Sequence, residues 1–161
     1  MELDQVRWGR WLAWGLWALV SSLWVARWHA FPLMLDGYYH GFMAQQLVAA
    51  GGPLMFEWWE YAPVGRPHLY PPILHLLLAA LLKAGCAPIA ALRILSVVLP
   101  VLLLLTIFLV MRRLASSSTA LMCLWVAFIP FSFHLHSAVA MAAALGLAAL
   151  LWLIDALQRD R

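Results

Sequence analysis

Most of the side chains able to do chemistry lie in two short stretches of an otherwise apolar chain. These are Asp36-Gly-Tyr-Tyr-His40 and Glu57-Trp-Trp-Glu60-Tyr-Ala-Pro-Val-Gly-Arg66-Pro-His68-Leu-Tyr70-Pro-Pro72. Asp36 and His40 are four residues apart, which puts them on one face of a helix that starts there. A carboxylate so placed can take a proton from an acceptor hydroxyl, or together with His40 hold a divalent metal (Mg or Mn) carrying a lipid diphosphate. The same aspartate also suits an N-cap with a solvated histidine one turn on, and the two roles are compatible. Arg66 and His68 sit in a segment stiffened by prolines at 63, 67, 71 and 72, which fix their own φ and restrict the residues before them. A guanidinium and an imidazole on a stiff segment suit phosphate recognition, and Arg66, His68, Tyr70 and His40 form the candidate substrate-binding set. Interfacial anchoring competes with this, with Trp58, Trp59, Tyr61 and Tyr70 in a headgroup belt and Arg66 on lipid phosphate. Glu57 and Glu60 are expected to be solvated or paired with Arg66 or Lys83. His134 and His136 flank Leu135 and diverge in either extended or helical chain, which makes them poor joint metal ligands.

The elements that must position these groups follow from composition. With 66% hydrophobic residues, 11% charged and ten tryptophans in 161 residues, the chain is too apolar for a soluble core and is expected to be an all-α integral membrane domain. The net charge of +3 comes from arginines that flank apolar runs, an orientation signal that gives no reason to expect a nucleic-acid partner. Cys86 and Cys123 are the two cysteines, too few for a disulfide framework or a cysteine zinc site.

Apolar runs predict four transmembrane helices at about 10–28, 89–112, 118–134 and 138–157. They leave a loop over about 29–88 with two interfacial helices, at about 37–50 and 72–84. The first opens at Asp36, stops at Gly51-Gly52-Pro53 and carries an apolar stripe of Met43, Ala44, Leu47 and Val48. The second opens on Pro71 and Pro72, closes at Lys83 and Gly85, and is too short to span comfortably. Pro100 is expected to kink the second span, and Ser116 to Thr119 to cap the third. If the short helix does not cross, Arg7, Arg10, Arg112, Arg113, Arg159 and Arg161 share one side, which is then cytoplasmic, with both termini. The loop and all six histidines then face the opposite side. If it crosses, Arg112 and Arg113 move outside.

The order of these features resembles a known family. An N-terminal anchor is followed by Asp36-Gly-Tyr-Tyr-His40, an amphipathic helix ending in Gly51-Gly52, then Pro63-Val-Gly-Arg66-Pro-His68-Leu-Tyr70-Pro-Pro-Ile-Leu-His75, Arg93-Ile-Leu-Ser96 and Arg112-Arg113-Leu114. The set is similar to the N-terminal membrane module of the GT-C glycosyltransferases, particularly prokaryotic relatives of the oligosaccharyltransferase catalytic subunit and the protein O-mannosyltransferases. The resemblance implies that Asp36 is the catalytic or metal-binding carboxylate at the start of the first external loop. It also implies a polyprenyl-phosphate-linked sugar donor and a prokaryotic plasma membrane location. The family's second acidic motif, after the third span, is replaced here by His134-Leu-His136-Ser137, with no carboxylate before Asp155. Family members are also longer, so the chain corresponds to their first third, and a second membrane subunit supplying the missing spans is an expected partner.

The expected function is therefore a membrane glycosyltransferase module, a transferase acting on polyprenyl phosphate at the external face. Its rival is a non-catalytic accessory subunit that docks through the proline-rich loop. A b-type cytochrome would require paired histidines deep within spans, whereas the histidines here fall in loops and at span ends.

Overall fold

A computed structural model gives the fold and describes residues 2–30, 35–59, 61–68, 70–128 and 142–159. The chain is mostly helical. Among the described residues the α-helices are α1 (Glu2–Ala26), α2 (Leu35–Ala50), α3 (Pro72–Lys83), α4 (Pro88–Leu114), α5 (Ser117–Phe128) and α6 (Ala142–Arg159). A 3-10 turn, Trp28–Ala30, follows α1, and a short antiparallel ribbon, β1 (Phe56–Glu57) with β2 (Arg66–Pro67), joins α2 to α3.

The boundaries follow local chemistry. Both α3 and α4 start on a proline at the first helical position, where the missing N–H would have had no partner. The end of α3 is a Schellman turn: Gly85 takes φ of +93°, its N–H bonds the Leu82 carbonyl, and the Cys86 N–H bonds the Leu81 carbonyl. Ser116 caps α5 by accepting from the Thr119 N–H at 3.1 Å. Asp36 falls inside the first turn of α2, not before it as expected, and its charge there complements the helix dipole.

One helix organises the rest. The N-terminal half of α4 packs Ala91, Leu92, Leu95 and Leu99 against Met43, Ala44 and Leu47 of α2 and Leu74, Leu78 and Ala79 of α3. Its C-terminal half packs Leu104 and Phe108 against Ala13 and Val20 of α1 and Ala120 and Leu124 of α5. The stripe expected on α2 is thus buried against neighbouring helices. Gly41 lets α2 and α4 close up, since a Cβ there would lie 2.8 Å from the Leu92 side chain. At the other end of α1, the Arg93 guanidinium lies 5.9 Å over the Trp28 ring. The start of α1 therefore lies beside the end of α4, and the end of α1 beside its start.

α4 alone among the described residues is long and apolar enough to cross a membrane. The four-span expectation is not supported. The apolar parts of α1 and α5, Trp11–Ala26 and Ser117–Ala127, are shorter than the ~20 residues a crossing needs, and the expected third and fourth spans run through 129–141, outside the described residues. Outward-facing apolar side chains nevertheless cover every long helix: Trp11 and Leu19 on α1, Leu102 on α4, Met122 and Val126 on α5, and Leu150 and Leu153 on α6 are exposed.

Candidate functional site

The ribbon sets Glu57 opposite Arg66. It can close because residue 65 is glycine: φ is +70°, and a Cβ would lie 2.5 Å from the Phe56 ring and 2.8 Å from the Glu57 carbonyl oxygen. Glu57 is fully buried. Its Oε1 accepts from the Tyr39 hydroxyl at 2.8 Å and from the Nδ1–H of His68, while Oε2 faces the Arg66 Nε at 3.4 Å. Burial alone would raise this carboxyl, but the His68 and Tyr39 hydrogen bonds and the Arg66 charge outweigh it and hold the pKa below the ordinary carboxylate value. Arg66 also lies 5.9 Å over the Tyr61 ring, which fixes the guanidinium between a carboxylate and an aromatic face.

Behind this pair, His40 from α2 and His75 from the first turn of α3 join Nδ1 to Nε2 at 2.8 Å. Both are buried. Burial pushes His40 below its ordinary value, the charge of Asp36 opposes that and His68 adds to it. Burial also pushes His75 down to about 4, helped by His40 and His68 and opposed by Glu57. Two neutral imidazoles share one N–H between them. The His75 Nδ1 is buried without a partner among the described residues, so donation from His75 Nε2–H to His40 Nδ1 is the cheaper tautomer, leaving a bare acceptor in place of an orphaned donor. The His68 ring lies tilted at 5.1 Å from His75, and Tyr70 closes the cage at 5.5 Å from His40 and 5.2 Å from Tyr39.

Of the residues singled out in the sequence, His40, His68 and Tyr70 come together, and Arg66 joins them through Glu57. Asp36 is exposed one turn before His40, close enough for its charge to act on that imidazole. For a metal shared by Asp36 and His40, the His40 Nδ1 is engaged by His75 and Nε2 is the nitrogen left to ligate; among the described residues no group of three His, Cys, Asp or Glu side chains is arranged to bind one ion. Glu60, His134 and His136 lie outside the described residues. The expected Glu57–Arg66 pair is present, but Glu57 is central and buried, with no solvated face.

Tyr39 and His75 are members of the cluster that sequence reasoning did not single out. For His75 the signal is its place on the stripe Leu74, His75, Leu78 and Ala79, all buried, where a lone imidazole among apolar positions must find a partner. No family model, curated protein or solved structure matches this chain.

Proposed function

We propose that the chain is a GT-C-like membrane module that transfers sugar from a polyprenyl-phosphate-linked donor at the face carrying residues 36–75. The single observation that supports this most is the cluster itself: a guanidinium held by a buried carboxylate, backed by three imidazoles and two phenols, is assembled from α2, the ribbon and α3. That provides phosphate recognition and proton-handling groups beside the apolar outer face of α3, where Ile73, Leu76 and Leu77 are exposed and a lipid chain can lie.

In this mechanism Arg66 offers charge-assisted hydrogen bonds to the lipid phosphate, with Glu57 and Tyr61 setting its direction. Asp36, exposed at the rim, takes the proton from the acceptor hydroxyl. The acceptor oxygen then bonds to the anomeric carbon, the bond from that carbon to the phosphate oxygen breaks, and the lipid phosphate leaves as an anion against Arg66. His68, committed to Glu57, and His40, committed to His75, position the cluster and do not touch the phosphate.

The membrane topology belongs to the same proposal: α1, α4 and the two C-terminal apolar segments traverse or embed in the bilayer, with the Arg112, Arg113 and Arg159 end cytoplasmic. The test is sugar transfer in membranes bearing the full chain, with a panel of polyprenyl-phosphate sugars. Asp36→Asn is expected to abolish transfer while leaving membrane insertion intact, and full activity in that variant refutes the role of Asp36.

A non-catalytic docking role is favoured by one specific feature, the exposed apolar tip of Met55, Trp58, Tyr61 and Val64 on the ribbon loop. In that case Asp36→Asn keeps cellular function, and Trp58→Ala with Val64→Ser loses it.

A further inference from the structure

At the opposite end of α4, a second polar site is built from residues the proposed transfer does not use. An open cavity of about 450 Å³ is lined by Arg113, Leu114, Asp155, Gln158 and Arg159, where the last turns of α4 and α6 meet. Asp155 is buried, only 3% exposed. Its Oδ2 accepts from Arg113 Nη1 at 3.2 Å and from the guanidinium of Arg159 one turn further along α6.

One carboxylate thus orders two guanidiniums, which leaves a net charge of +1. The arginine side chains stay 45% and 59% exposed. A guanidinium carries five N–H donors, and each of these commits a single nitrogen to Asp155. Arg113 is further steadied 5.2 Å over the Trp152 ring. The remaining donors line a cavity whose other polar member is the Gln158 amide.

We infer that the joined ends of α4 and α6 bind a phosphate-bearing anion between Arg113 and Arg159, with Asp155 as the residue that aims them. Two planar forks converging on a pocket match the tetrahedral oxygens of a phosphate. With α4 long enough to cross a bilayer, its arginine end falls at headgroup depth, where anionic lipids concentrate phosphate. The site stands independently of the transferase proposal, since it lies at the other end of α4 from Asp36 and the histidine cluster.

The test uses the detergent-purified full chain in two arms. Native mass spectrometry counts retained phosphatidylglycerol against phosphatidylcholine, and thermal unfolding with inorganic phosphate in place of lipid reads binding of the free ion. The expected result is retention of phosphatidylglycerol weakened about tenfold or more in the triple variant Arg113→Gln/Asp155→Asn/Arg159→Gln, the scale of one or more charge-assisted hydrogen bonds. Arg159→Gln alone keeps Asp155 paired with Arg113 and so avoids a bare buried carboxylate, and it should lose binding by several fold. Arg112→Gln removes an equal charge at the same helix end, but Arg112 lies over the Phe108 ring and not on the cavity, so it should leave binding unchanged.

Stabilisation by inorganic phosphate that depends on the same arginines, without lipid retention, supports the site with a free phosphate as its source. Equal binding of both probes by the wild-type and triple-variant proteins overturns the inference. A loss in Arg112→Gln as large as in the triple variant also overturns it, because bulk charge would then suffice.

Discussion

Replacing Glu57 by Gln keeps the volume and one acceptor oxygen at the centre of the loop cluster while removing its charge. The carboxylate accepts from Tyr39 and His68 and faces Arg66 at 3.4 Å, with its own side chain wholly buried. A hydrogen bond to a charged acceptor contributes about 1.5–3 kcal/mol and a neutral one about 1 kcal/mol, so neutralisation costs roughly 1 kcal/mol at each of Tyr39 and His68. On the Arg66 side, an amide N–H turned toward the guanidinium replaces attraction by repulsion. That loss is limited because the Arg66 side chain is 28% exposed and can recover solvent. Relief of the buried charge returns part of the total, and the net expected loss is about 2 kcal/mol. Glu57→Leu removes the acceptor of the Tyr39 hydroxyl and the His68 N–H together with the charge that faces Arg66, and is expected to cost about 3–5 kcal/mol. Chemical unfolding of the detergent-solubilised protein at neutral pH measures both. The decisive control is acid: the folded pKa of Glu57 is lowered, so its contribution is present above the ordinary carboxylate pKa and disappears as pH falls through the folded value. Glu57→Gln should lack that acid-labile component. A Gln variant as stable as wild type, with an unchanged acid limb, refutes the placement of Glu57 as the hub.

Two further perturbations read different parts of the same site. The folded pKa of His75, about 4, lies below its ordinary 6.5, and that of His40 is lowered too, so between those values the unfolded chain binds the protons and stability rises with pH. This contribution is complete above about pH 6.5 and lost as pH falls toward 4, on the order of 3 kcal/mol for His75; unfolding curves across that window should flatten in His40→Leu/His75→Leu, and a persisting slope would count against the buried neutral pair. Gly65→Ala must carry a side chain at φ +70° against the Glu57 carbonyl, and an expected loss of about 2 kcal/mol or more should appear in chemical unfolding. Gly52→Ala, with open space around its new Cβ, should change stability by less than about 0.5 kcal/mol, and equal effects at the two glycines would refute the close approach in the ribbon.

Punctuation made the helical part of this structure legible. Pro71-Pro72 and Gly85 bound α3, Gly51-Gly52 ends α2, and Arg112-Arg113 marks the end of α4, because proline, glycine and terminal cations act through a residue's own backbone or the adjacent turn. What stayed illegible depends on pairings across sequence. Glu57 looks solvated in a polar, aromatic stretch, and only the fold of the ribbon at Gly65 carries it inward to meet Tyr39, 18 residues away. His40 and His75 are 35 residues apart, and neither neighbourhood shows that α2 and α3 pack side by side. Asp36 is the reverse case: spacing put it on the face of His40, and its charge does act on that imidazole, but the exposed rim position follows from helix α2 starting at Leu35. The number of spans was read from apolarity alone, which sums over a run without regard to where the helix stops; α1 is apolar only from Trp11 onward, and its crossing segment falls short.

The two polar clusters are held apart by α4, and its length decides what that separation means. Leu92 lies in the core under α2 and α3, against Gly41, while Arg113 sits on the Asp155 cavity. They are 21 residues apart in one continuous helix, roughly 32 Å at 1.5 Å per residue, close to the ~30 Å hydrocarbon thickness of a bilayer. Pro100 leaves α4 uninterrupted, so the helix acts as a spacer between the ends. If α4 crosses, a guanidinium held by a carboxylate stands at each headgroup layer, Arg66 on Glu57 at one and Arg113 with Arg159 on Asp155 at the other. In both places a buried acid fixes the direction of an arginine that would otherwise spread over many rotamers. The loop cluster adds three imidazoles around its arginine's carboxylate, with the exposed Asp36 one turn before His40, the groups on which the proposed proton transfer depends. The α4–α6 cluster is lined by Arg113, Leu114, Asp155, Gln158 and Arg159, a set that suits the proposed holding of an anion.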